Sequence, residues 1–155
     1  MQKEMTSLAE AYLVQLKASV MWFHSAHHVA KGKGFVSDHK DLYGKIYTEL
    51  DDHFDELVEK SIILSGDEFV ACPINLSKGI SIILESHYHT PANKNSEEII
   101  HQAIIVMSNL LNSITFFYEK AGELGYLTLG LNDSLSGMAN LYEQYMYKLG
   151  QRHKE

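Results

Sequence analysis

The chain has 155 residues, 45% apolar and 21% charged, a size and make-up that fit one compact domain, residues 1–155, with a proper core. Its formal charge of −7 and pI near 5.7 exclude a nucleic-acid partner gripped by bulk electrostatics, because phosphate binding needs a basic face. The single cysteine, Cys72, excludes an intrachain disulfide and any thiolate-rich zinc or iron–sulfur site, and points to a reducing compartment.

The N-terminal "MQKEMTSLAEAY" lacks a basic start followed by an apolar core, and no run approaches the ~18 apolar residues of a membrane span. A soluble, cytoplasmic protein with no membrane partner is expected. Apolar positions Leu8, Tyr12, Leu16, Val20, Phe23, Ala26 and Ala30 step by three or four, so Ser7 to Ala30 is predicted as one long amphipathic helix. "KGKGFVS" breaks the pattern, and Ser37 or Asp38 offers an N-cap for a second helix on Leu42, Ile46, Leu50, Phe54, Leu57 and Ile62 that stops at Gly66. Between Phe69 and Asn95, which holds Pro73 and Pro91, only a short helix from about Leu76 to Glu85 is expected. Ser96 followed by Glu97 and Glu98 opens a helix of about eight turns. After "GYLTLG", Asn132 or Asp133 opens the last helix, which ends at Gly150.

Four long helices with a short one midway predict an all-α four-helix bundle. The third long helix is apolar around much of its circumference, through Ile99, Ile100, Ile104, Ile105, Val106, Leu110, Leu111, Phe116 and Phe117. Such a helix usually buries its extra face against another subunit, so a homo-oligomer is expected.

The densest charge lies in "YTELDDHFDELVEK", Tyr47 to Lys60, with six carboxylates and His53. Asp55 and Glu59 stand one turn apart and can converge on one hard cation, although acidic pairs at this spacing are also common on solvated helix faces. Asp51 shares that face as a reserve ligand. His27 lies near the end of the first helix and His39 near the start of the second, so an antiparallel hairpin around "KGKGFVS" would bring the two imidazoles together. Imidazole suits iron and zinc, and carboxylate suits iron and harder cations. His39 and Asp55 are sixteen residues apart on one helix, roughly 24 Å at 1.5 Å per residue. One chain cannot bring both to one ion, so a mixed site needs a second subunit, and a two-fold dimer would build it twice. A single-chain di-iron bundle would need Glu-x-x-His on two helices; "EIIH" from Glu98 to His101 is one match and no second exists.

The segment "HHVAKGKGFVSDHKDLY" followed by "YTELDDHFDELVEK" resembles the signature of the Dps proteins, the miniferritins of the ferritin-like superfamily. The order of helices, and "LNDSL" at the last helix start, agree over nearly the whole chain. The resemblance implies a ferritin-like bundle with a short extra helix in the long connection. It also implies a hollow dodecamer built from two-fold dimers that oxidises Fe(II), with hydrogen peroxide preferred over oxygen, and stores ferric oxide. Carried over by position, His27 and His39 are the ligands from one subunit, and Asp55 and Glu59 those from its neighbour.

Three positions depart from the family pattern. His28 stands where the family has Trp, and can itself act as a ligand. Tyr43 stands where the family has Asp one turn after the second His, and can bind ferric iron as a phenolate or shield the site. The interval from His39 to Asp55 is one residue longer, so either the second helix carries a π-bulge or the ligand set shifts, with Asp38 as substitute. The family's acidic three-fold pore is reduced here to Glu123 and Asp133 around an apolar stretch. The termini pair Lys3 with Glu4, and Arg152 and Lys154 with Glu155, so strong DNA binding is not expected. Two alternatives stay open beside the ferroxidase and iron store: a non-catalytic shell or interaction module with a degenerate metal site, and a site holding zinc on His27, His28 and His39.

Overall fold

The computed structural model describes residues 2–154, and among them there is no strand. Five α-helices follow in order: α1 (Gln2–Val29), α2 (Lys45–Ser65), α3 (Pro73–His87), α4 (Ser96–Glu123) and α5 (Leu129–His153). A π-helical segment, Ser37–Gly44, runs directly into α2, and a short 3-10 turn, Glu68–Ala71, precedes α3. The four long helices α1, α2, α4 and α5 form the bundle, while α3 lies against α1 in the connection between α2 and α4. Leu13, Leu16 and Phe23 of α1, Ile46, Leu50 and Leu57 of α2, Met107 and Leu110 of α4, and Leu135 and Leu149 of α5 fill its axis. Each such side chain contributes about 1.5–3 kcal/mol by leaving water.

Local chemistry sets the ends. Gly66 closes α2 in the left-handed region at φ 70°, its N–H donating to the Ile62 carbonyl, as expected. The Asn95 side chain, one residue before the predicted opening, caps α4 by accepting from the Glu98 N–H. α5 starts at Leu129, a turn earlier than expected, because the Thr128 hydroxyl accepts from the Leu131 N–H and makes the cap. α1 likewise starts earlier, at Gln2, and α3 is longer than Leu76–Glu85 at both ends.

The second helix differs more. Neither Ser37 nor Asp38 caps it: Phe35 and Val36 are already helical, and Asp38 turns inward. Ser37–Gly44 is π-helical, a wider turn that accommodates one residue more than an α-turn, which is one of the two ways expected for the longer interval between His39 and Asp55.

By length and composition alone α4 could cross a membrane, although polar His101, Gln102, Ser108 and Asn109 interrupt its apolar run. In the bundle its stripe Ile99, Ala103, Val106, Leu110, Ile114 and Phe117 is core. Phe116 stays exposed, and Ile104 and Leu111 are only half-buried.

Candidate metal centre

The hairpin between α1 and the π-helical segment sets two histidine rings face to face. His27 and His39 stack with ring centres 3.8 Å apart and planes 15° off parallel. Each ring also bonds the other's backbone: His27 Nδ1 lies 2.5 Å from the His39 carbonyl oxygen, and His39 Nδ1 lies 2.6 Å from the His27 carbonyl oxygen. A carbonyl oxygen only accepts, so both Nδ1 atoms donate and carry the proton. In the neutral tautomer that this bonding selects, Nε2 carries the lone pair through which a histidine binds a metal. The π-helical turn makes room for this. A Cβ at Gly44 would lie 2.6 Å from the His39 carbonyl oxygen and 3.0 Å from His27 Nδ1.

Three more aromatic groups join the pair. His24, one turn before His28, stacks on Tyr47 at 4.1 Å and 15°. Its ring centre lies 4.6 Å from that of His28, and the His28 centre lies 5.2 Å from that of His27. His24 is held below the usual histidine range, first by desolvation and then by the neighbouring His28 and His27. The last turns of α1 therefore hold an imidazole cluster of which the sequence reading named only part. His24 was missed, although its spacing of four from His28 was the available signal.

The carboxylates are distributed differently. Asp55 and Glu59 are exposed on α2, downstream of the histidine pair along the helix. Asp51 is engaged by Lys17 Nζ at 2.7 Å. Asp38 is buried and held by two hydrogen bonds from Arg152 near the end of α5, Nε to Oδ1 at 3.1 Å and Nη2 to Oδ2 at 3.0 Å. Arg152 also reaches Glu97 at 3.3 Å. Its guanidinium is raised above its ordinary value, first by the Asp38 hydrogen bonds. Asp38 thus has both oxygens committed to a latch between α5 and the hairpin. Among the described residues, no three His, Cys, Asp or Glu side chains converge as a metal cluster. Within one chain the histidine pair and the Asp55/Glu59 pair stay separate.

Tyr43 is 1% exposed, packs toward Phe23, and its enclosed hydroxyl finds no hydrogen-bond partner among the described residues. Burial, and next the Asp38 charge, push its phenol well above the usual range, so phenolate formation there is disfavoured. Buried tyrosines also lie in the core between the helices. The Tyr142 hydroxyl pairs with His53 Nδ1 at 2.8 Å, and the Tyr145 hydroxyl donates to Glu49. Glu98 and His101 lie exposed at the start of α4. The single-chain di-iron arrangement is not what this core builds. Glu123, paired with Lys120 at 3.0 Å, and Asp133 are both exposed near the α4–α5 turn.

No family model and no curated protein matches the sequence. In three dimensions the chain is similar to solved structures along its whole length. The Dps protein from Bacillus brevis superposes with a TM-score of 0.78 at 18% identity, over 97% of this chain and 95% of that one. Dps from Staphylococcus aureus gives 0.78 at 19% identity, over 98% and 96%. The Dps protein from Vibrio cholerae, a member of a broad superfamily of ferritin-like diiron-carboxylate proteins, gives 0.72 at 21% identity, over 97% and 89%. The fold is the ferritin-like bundle in its Dps form, short connection helix included.

Proposed function

We propose that the protein is an iron-oxidising storage shell, a homo-oligomer built from two-fold dimers and assembled as a hollow dodecamer. Each ferroxidase site joins His27 and His39 of one subunit to Asp55 and Glu59 of its neighbour. The observation that carries the reading is the crossed histidine pair, in which each Nδ1 is spent on the other's carbonyl and each Nε2 is left for a cation. The Dps fold supports it, as does the exposure of Asp55 and Glu59 on a helix that cannot fold them back to their own histidines.

Iron is the substrate. Two Fe(II) ions give one electron each to hydrogen peroxide, which takes up two protons and leaves as two waters, and the ferric product is stored inside. Asp55 and Glu59 supply hard oxygen ligands that favour the ferric state, and the histidines fix its position. Glu123 and Asp133 line the entry route.

Mixing chains tests the arrangement. A His27→Ala/His39→Ala chain and an Asp55→Ala/Glu59→Ala chain should each assemble and fail to oxidise Fe(II). Co-assembled, every mixed dimer regains one intact site, so about a quarter of the sites return under random pairing. Activity that stays absent in the mixed shell, or survives in either parent, refutes the shared site. A second reading, a non-catalytic shell with a degenerate site, is favoured by Asp38 being bound to Arg152 and Tyr43 being enclosed. Under it the unmutated protein itself assembles without oxidising Fe(II).

A further inference from the structure

The imidazole cluster holds one pair that the iron reading does not use. We infer that His24 and His28 form a chelate for a borderline divalent cation of tetragonal preference, copper(II) foremost and nickel(II) next.

The two residues sit one turn apart on the last turns of α1, both exposed, and side chains four apart on a helix lie one above the other on the same face. Their ring centres are 4.6 Å apart and their planes 33° off parallel. An ion about 2.1 Å from one nitrogen of each ring lies roughly 3.2 Å from each ring centre. Centres 4.6 Å apart then subtend about 90° at that ion. Such a cis pair belongs to tetragonal copper(II) and nickel(II), whereas tetrahedral zinc needs the rings wider apart.

The surroundings favour this use. Tyr47 stacks on His24 at 4.1 Å and limits its rotation. No hydrogen bond among the described residues engages the ring nitrogens of His24 or His28, in contrast to His27 and His39, whose Nδ1 atoms are committed. Asp51, the carboxylate whose charge acts on His24, is bound by Lys17. The donors on offer are imidazoles, and the order of divalent affinities on nitrogen places copper(II) highest and iron(II) far below. Water completes the coordination of such a two-nitrogen site.

This inference stands apart from the iron reading, so its test removes all four iron ligands first. In a His27→Ala/His39→Ala/Asp55→Ala/Glu59→Ala background, copper(II) is titrated at neutral pH against a competing chelator and examined by electron paramagnetic resonance. The expected result is one copper per chain with two-nitrogen hyperfine structure. His24→Gln and His28→Gln should each weaken binding more than about tenfold, while His87→Gln, exposed at the end of α3, leaves it within experimental error. If His24→Gln or His28→Gln leaves the copper affinity and spectrum unchanged, or if His87→Gln abolishes them, the chelate is not there.

Discussion

Substituting Gly44 by alanine probes the link between backbone and site most directly. Gly44 has ordinary helical angles, φ −62° and ψ −42°, so the substitution strains no dihedral, and in an exposed helix it would gain about 1 kcal/mol of propensity. Sterics oppose this. The new methyl would sit 2.6 Å from the His39 carbonyl oxygen, a backbone atom with no rotamer to escape into, and 3.0 and 3.3 Å from His27 Nδ1 and Cε1. Overpacking of this kind costs about 1–3 kcal/mol. The carbonyl in question is also the acceptor of the His27 ring, so moving it weakens a hydrogen bond worth about 1 kcal/mol. The clash and the lost bond outweigh propensity by about 1–3 kcal/mol, which lowers the melting temperature by roughly 3–9 °C in a chain of this size. Because the displaced carbonyl orients a ligand, Fe(II) oxidation at subsaturating iron should slow by about tenfold or more. Thermal unfolding at fixed protein concentration and stopped-flow iron oxidation measure the two effects. A Gly44→Ala protein that melts at or above the parent temperature and oxidises iron at the parent rate would show that the crossed histidine pair does not depend on this close approach.

Arg152→Ala strands the buried Asp38 carboxylate. Since Arg152 is itself 23% exposed and water can partly replace it, the loss should fall near the low end for a broken buried pair, about 2–3 kcal/mol. Adding Asp38→Asn should recover part of it in urea unfolding, and an equal or larger loss in the double variant would contradict a charge-pairing origin. Tyr43→Phe removes an enclosed hydroxyl without a partner, so stability should hold or rise by about 1 kcal/mol; a loss of comparable size would mean that the hydroxyl is bound. Tyr12, Tyr43, Tyr142 and Tyr145 all have phenols raised by burial. Unfolded, they ionise near pH 10, so above that the unfolded chain releases protons that the folded chain keeps. Their contribution is complete below about pH 10 and is lost as pH rises further. A melting temperature flat to pH 11 would contradict this.

The fold was legible because its signals are local and repeated: apolar steps of three and four, and Gly66 at a helix end. That His39 and Asp55 stand apart within one chain was also legible, since sixteen residues between them is a length, and lengths can be read from sequence. What escaped depends on distant groups. Arg152 meets Asp38 across 114 positions, with nothing near either to announce the pairing, so Asp38 looked like a free ligand. Thr128 outcompeted Asn132 and Asp133 as the α5 cap because the geometry of the preceding turn decides which hydroxyl or carboxylate reaches the backbone N–H.

The π-helical segment changes the meaning of the missing acidic ligand. Counted forward from His39, the position where Dps proteins carry an aspartate is Tyr43; counted back from Asp55, with the extra residue absorbed, it is Gly44. Neither is a carboxylate, and each does something that an aspartate there would prevent. Tyr43 fills the core beside Phe23, while Gly44 leaves the space into which the His27 ring fits against the His39 carbonyl. On the proposed ligand set, the residue that replaces an oxygen ligand is the one that permits the close stacking of the two imidazoles. With His24 and His28 alongside, nitrogen donors outnumber oxygen donors on the hairpin, and this side of any shared site is softer than a carboxylate-rich one. In the proposed site the hard ligands that ferric iron prefers come from Asp55 and Glu59 across an interface. Iron chemistry should therefore depend more steeply on assembly here than in a site whose histidine half keeps its own acid, with Fe(II) oxidation vanishing on dilution to monomers while nitrogen-ligated cations remain bound.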